Sequence, residues 1–200
     1  MLIMQYKKDK ERLNQILLTS ENIKSNRDEI LRLVPELTIC VDCTQKHPNH
    51  IYNVYEHIEE TVNKVDFNLV LKLTTLFHDI GKPYTKIFAD GAERFWGHED
   101  ISEILSRLIL KRLEYEDNLI SIVCKLIKYH DYKIEATTDG VSKVIELIGQ
   151  ANMPYLLQVQ TADLLSHAPK YYNVVIPTLR SVQIIYKENF NKEFNNILEA

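Results

Sequence analysis

Apolar residues recur at helical spacing through most of this chain. Between Gly97 and Arg112 they fall at Ile101, Ile104, Leu105, Leu108 and Ile109, with Glu99 and Asp100 in the first turn, where a helix dipole favours negative charge. The stretch 118–130 repeats Leu119, Ile122, Val123, Leu126 and Ile127, and 51–65 repeats Ile51, Val54, Ile58, Val62 and Val65. Asp66 or Asn68 can cap the next helix, which runs through Leu69, Val70, Leu71, Leu73, Leu76 and Phe77 with Gly81 as a C-cap. That segment is apolar nearly all round, which predicts a central buried helix. A short helix over 142–148 should end at Gly149, and Asn152 before Pro154 should open one reaching about His167. Residues 6–18, 27–34 and about 177–190 complete the helical pattern. The strand-like exception is 85–96, where Asp90-Gly91 reads as a hairpin turn between short alternating runs. The expectation is an all-α helical bundle with one small β-hairpin insertion, forming a single domain over 1–200.

Composition narrows the function classes. A chain of 200 residues, 45% hydrophobic and 26% charged, can bury a real core and is neither disordered nor a disulfide scaffold. Five glycines and six prolines argue against a strand-and-turn protein. The net charge of −4 provides no field for a dedicated polynucleotide binder. The longest apolar runs, 30–34 and 69–77, are too short to span a membrane, and the N-terminus turns charged at Lys7, unlike a signal peptide. A cytoplasmic protein with three reduced cysteines is expected, with no membrane partner.

Placing the histidines on these helices sorts them. His130 shares a face with Leu119, Ile122 and Leu126, and His98 shares one with Ile101 and Leu105. His57 sits beside Ile58 at the edge of an apolar stripe. Asp163 falls on the face of Leu156 and Val159, where a carboxylate needs a partner because bare burial of charge costs several kcal/mol. His78 and Asp79 are adjacent at the end of the most buried helix. Any one of these could be a core residue satisfied locally. Six of them pointing inward from five helices instead suggest a site for first-row transition metals such as Fe, Mn, Co, Ni or Zn. A carboxylate shared by two metals about 3.5–4 Å apart could activate water for attack on phosphorus.

The segments HIYNVYEH at 50–57, LFHDIGKP at 76–83, RFWGHE at 94–99, IKYH at 127–130 and TADLLSH at 161–167 resemble the HD superfamily of metal-dependent phosphohydrolases. The likeness covers about 47–170 and is strongest to the HD domain attached to bacterial CCA-adding tRNA nucleotidyltransferases, here standing alone. It implies that His57, His78, Asp79 and Asp163 hold one metal and that Asp79 bridges to a second held by His98 and His130. It also implies that Lys82 contacts the phosphate or its attacking water, a role suited to a lysine's point charge. His50 matches the first histidine of the family's motif and is a candidate substrate contact. So is Arg94 on the hairpin, with Trp96 beside it for stacking.

Other features carry less. Cys40 and Cys43 followed by His47 have half of a zinc-knuckle spacing without a second pair, and read as reduced loop cysteines. His167 could orient Asp163 or lie on the surface. Lys7, Lys8, Lys10 and Arg12 alternate with Asp9 and Glu11, a salt-laced helix face. The expected function is hydrolysis of a nucleotide-type phosphomonoester or phosphodiester by metal-activated water, with Asp79 and Lys82 as catalytic residues. Small phosphoesters or nucleotides are the expected substrates, RNA being less favoured. The rivals are an HD-type di-iron oxygenase, a binding-only module and an RNA-end processing accessory.

Overall fold

The computed structural model describes residues 2–195 and 197–199. Its helices are α1 (Leu2–Thr19), α2 (Arg27–Leu33), α3 (Thr38–Val41), α4 (Val54–Asn63), α5 (Leu69–Phe77), α6 (Lys82–Thr85), α7 (His98–Arg112), α8 (Asp117–Tyr129), α9 (Thr138–Ile148), α10 (Met153–Leu164) and α11 (Pro169–Asn189). The strands β1 (Ile87–Ala89) and β2 (Ala92–Arg94) pair antiparallel between α6 and α7, with Ile87 opposite Arg94 and Ala89 opposite Ala92. Asp90 and Gly91 both take positive φ, 51° and 73°, as a tight two-residue hairpin turn requires. The fold is therefore all-α with one small hairpin.

Helix α5 is the hub, packed by α1, α4, α8 and α10. Asn68 starts it by accepting from the N–H groups of Val70 and Leu71. Leu73, Leu76 and Phe77 are fully buried, each worth roughly 1.5–3 kcal/mol in transfer from water. Even Lys72 is buried, its Nζ donating to Val62 O in the last turn of α4 at 2.8 Å, where a helix end favours a cation. One core cluster runs from Leu13 and Ile16 of α1 to Val123 and Ile127 of α8. A second joins Leu126 of α8 to α9, α10 and α11. Helix α8 thus belongs to both.

Several elements differ from the sequence expectation, each for a physical reason. Helix α11 begins at Pro169 rather than 177 and carries Pro177 inside it. Packing of Tyr171, Val175, Leu179 and Val182 against the second core outweighs the local break. Helix α9 starts at Thr138, because Thr137 caps it by accepting from Gly140 N–H. Helix α4 is shorter than 51–65, since a capping box between Asn53 and Glu56 sets its start. Asn152 does not cap α10; its side chain donates back to Ile148 O.

Gly81 is not a left-handed C-cap. A Cβ there would lie 2.4 Å from His98 O and 2.6 Å from Ser102 N, so glycine is needed for close approach to α7. That approach turns the small residues Ser102 and Ser106 inward. It leaves Ile104 and Leu108 exposed, where the periodicity placed them in the core. Cys40 lies in α3 and Cys43 in the loop after it, and both are buried members of the first core. Among the described residues no helix is long and apolar enough to cross a membrane.

Candidate metal centre

Five helices deliver six side chains to one point. His57 comes from the buried stripe of α4, and His78 and Asp79 follow the last turn of α5. His98 is the first residue of α7, His130 caps the C-terminus of α8, and Asp163 lies in the last turn of α10. The four imidazoles and Asp79 are buried, and the Asp163 side chain is 15% exposed.

The carboxylate of Asp79 stands between two pairs of rings. Its Oδ2 lies 3.5 Å from His57 Nε2 and 3.4 Å from His78 Nε2. Its Oδ1 lies 3.2 Å from His98 Nε2 and 3.7 Å from His130 Nε2. Asp163 Oδ1 accepts from His57 Nε2 at 2.7 Å and is 3.7 Å from His78 Nε2. His98 and His130 face one another with their Nε2 atoms 3.3 Å apart.

Backbone carbonyls aim these rings. The Nδ1–H groups of His78, His98 and His130 donate to Thr75 O at 2.7 Å, Phe95 O at 2.9 Å and Ile127 O at 2.6 Å. A carbonyl can only accept, so Nδ1 carries the proton and Nε2 is the atom presented to the centre, the arrangement metal-ligating histidines use. Each carbonyl belongs to the residue three positions earlier, so each ring folds back on its own turn.

Electrostatics ask for a cation here. His78 is fully buried, which by itself lowers its pKa, yet the flanking Asp79 and Asp163 carboxylates raise it to about 10. Burial opposes ionisation of both aspartates too, but His78, Lys82 and His98 around Asp79, and His167, His57 and His78 around Asp163, hold each well below the usual carboxylate range. His130, buried next to His78 and His98, is pushed down to about 3 and stays neutral. His78 Nε2 and both Asp79 oxygens are buried without a well-directed hydrogen bond, although Lys82 Nζ is 2.6 Å from Oδ2. Orphaned donor atoms of this kind, on imidazoles and carboxylates, fit a divalent transition metal. Two overlapping groups could hold one: His57, His78 and Asp163, and His78, Asp79 and His130.

A cavity of about 420 Å³ opens above these residues. Lys82, read from sequence as a catalytic lysine, is buried at its edge rather than solvated, bridging Asp79 and Gln45 Oε1 at 2.8 Å. Arg94 lines the mouth and donates through Nη1 to His47 Nε2 at 2.8 Å, leaving its own buried Nε unpartnered. Trp96 lies beside it, 65% exposed. His50 lines the cavity with its ring 4.6 Å from that of His167, and burial with Lys82 nearby pushes it down to about 2, so it is a neutral ring.

All nine sequence candidates therefore converge: the six possible ligands at the centre, and Lys82, Arg94 and His50 around it. Sequence reasoning missed several neighbours. Gln45 holds Lys82, and His47, noted from sequence only as following the cysteine pair, lines the cavity and holds Arg94. His167, read from sequence as either orienting Asp163 or lying on the surface, faces the cavity with Nδ1 bonded to Asp163 O. Asp131 and Tyr171 also line it. For Asp131 the available signal was an acid next to His130.

A family model described as the HD domain matches residues 49–168. The A-adding tRNA nucleotidyltransferase of Deinococcus radiodurans is 30% identical over 139 residues, covering 65% of this chain and 31% of that protein. The CC-adding tRNA nucleotidyltransferase of Thermus thermophilus is 27% identical over 140 residues, covering 66% of this chain and 32% of that protein. The chain thus spans about a third of the length of the curated relatives it matches.

Proposed function

This chain belongs to the HD domain family, within the metal-dependent hydrolase superfamily, and on that premise we propose that it hydrolyses a nucleotide-type phosphomonoester or phosphodiester. In this reading His57, His78, Asp79 and Asp163 hold one divalent transition metal, and Asp79, His98 and His130 hold a second. Ions bound there would supply water made acidic near neutral pH and a counter-charge for the phosphoryl oxygens. The observation that carries the reading is the Asp79 carboxylate, each oxygen of which faces a separate pair of Nε2 atoms.

The chain's own groups have distinct tasks. Lys82 Nζ, held between Asp79 and Gln45, is a fixed positive charge in the cavity wall, placed to take a phosphoryl oxygen. Arg94 is a second cation at the mouth, oriented by His47, with a planar donor edge for phosphate. His50, a neutral ring lining the cavity, is the further group placed to touch substrate. No side-chain nucleophile is required.

A second reading draws on the relatives, whose names describe tRNA nucleotidyltransferases: an accessory that processes or binds RNA ends. The net charge of −4 weighs against it, since a polynucleotide footprint needs many free cations. Elemental analysis of the purified protein with a phosphoester screen tests the first reading. About two metal equivalents and turnover of mononucleotides with weak salt dependence are expected. Preference for structured RNA that collapses as salt rises would favour the second reading. Oxygen consumption by the iron-loaded protein without phosphoester cleavage would favour an oxygenase.

A further inference from the structure

A second cavity of about 480 Å³ adjoins the first. The two share His130, Asp131, Asp163, His167 and Tyr171, so they form one cleft with two chambers. The far wall of the second chamber lies beyond residues 49–168: it is α11, through Val174, Val175, Thr178, Leu179 and Val182. Ile134 and Leu164 close it below.

The two chambers differ in chemistry. The first holds Lys82, Arg94, His50 and the ionised aspartates, which suit a phosphate and its counter-ions. The second adds to the shared ionisable residues a wall that is mainly aliphatic and aromatic, with Lys133, Gln160 and Thr178 as its further polar side chains. Such a wall adds nothing to phosphate binding. Nor is it merely core. Leu179 and Val182 are buried against α9 and α10, but one turn earlier Val175 is only half-buried and Val174 beside it is 75% exposed at the opening. Apolar faces with a few edge-on polar groups suit a flat heterocycle. Tyr132 and Tyr171 both line the chamber, and their rings can stack on a flat heterocycle in a way an alkyl chain would not use.

We propose that this second chamber binds the base of a nucleoside phosphate, with the sugar at Asp131 where the chambers meet and the phosphate beside Lys82. Tyr171 and Val175 then determine which alcohol portion the site accepts. The proposal rests on the phosphohydrolase reading for the phosphate but not for the base.

The test uses the metal-loaded protein and four phosphate-free nucleosides: adenosine, guanosine, cytidine and uridine. Binding is read by calorimetry or ligand-detected NMR in wild type, Val175→Trp and Val174→Trp. The indole of the first fills the chamber; the second is so exposed that folding is indifferent to it. At least one nucleoside should bind saturably, and both variants should weaken it by about tenfold or more. The ratio of kcat/KM for the matching nucleoside monophosphate to that for 2-glycerol phosphate should fall by a similar factor. Absence of nucleoside binding, or binding that both variants leave unchanged, overturns the chamber assignment even if both esters are hydrolysed. Nucleoside binding weakened by the variants, with neither ester cleaved, upholds the chamber and overturns the hydrolase reading instead.

Discussion

Gly81→Ala should damage the site without touching any of its ligands. The added Cβ would meet His98 O at 2.4 Å, Ser102 N at 2.6 Å and Ser102 Oγ at 2.8 Å, against an ordinary contact of 3.4 Å or more. Two of these atoms are α7 backbone and cannot rotate away, so the helix start must retreat by about 1 Å from the segment carrying Asp79. Overpacking of this kind costs about 1–3 kcal/mol, here at the upper end because backbone must move. The hydrogen bond from Gly81 N–H to Ser102 Oγ at 2.8 Å stretches as well, adding about 1 kcal/mol. A total near 3–4 kcal/mol lowers Tm by roughly 6–16 °C for a chain of this size. His98, first residue of α7, moves away from Asp79 Oδ1 with the helix, so on the proposed two-metal reading metal content should fall towards one equivalent. Gly91→Ala is the matched control. Nothing lies within 4 Å of its Cβ, but φ is +73°, so it should cost only about 1–2 kcal/mol of backbone strain and leave metal content intact. Thermal unfolding by circular dichroism with elemental analysis reads both. A Gly81→Ala protein with wild-type Tm and metal content would refute the close-packing argument.

Asp79→Ala should abolish activity and metal binding, whereas Lys82→Ala should keep the metal and lose turnover by about 100-fold, checked by elemental analysis and kinetics. Metal loss in Lys82→Ala would make that lysine structural. Arg27 forms a two-pronged ion pair with Glu59, whose side chain is fully buried. Arg27→Met should therefore destabilise by about 3–5 kcal/mol in denaturant melts, and adding Glu59→Gln should recover much of the loss. Burial alone would raise the Glu93 pKa, but hydrogen bonds from Lys46 N–H, Lys86 and Thr44 hold it below its ordinary value of 4.5. A depressed carboxyl contributes stability above that value and loses it as pH falls through the folded pKa. Acid should accordingly release the hairpin from 44–46, seen as proteolysis near Asp90 that rises below pH 4.5 and is pH-independent in Glu93→Gln.

Local chemistry alone was enough to determine the helices and much of the site. A histidine on an apolar helical face must point where that face points, so His57, His98 and His130 could be turned inward from spacing. Asp163, on the face of Leu156 and Val159, could be marked as needing a partner. The Asp90-Gly91 turn was equally legible, because its positive φ angles are a property of the dipeptide. Tertiary structure decided whatever depends on which surfaces meet. The periodicity of α7 favoured Ile104 and Leu108 as core, but the close approach of Gly81 admitted only Ser102 and Ser106, and the helix is rotated accordingly. Pro177 read as a helix start until packing of α11 on the second core carried the helix through it. Gln45 and His47 bear no spacing relation to the residues they support, since contacts from Gln45 to Lys82 and from His47 to Arg94 cross long stretches of chain. The division of Asp79 between two pairs of imidazoles likewise arises only when five helix ends converge. Short-range periodicity encodes the direction of each side chain relative to its own helix, and only the packing of helices against one another sets the distances between them.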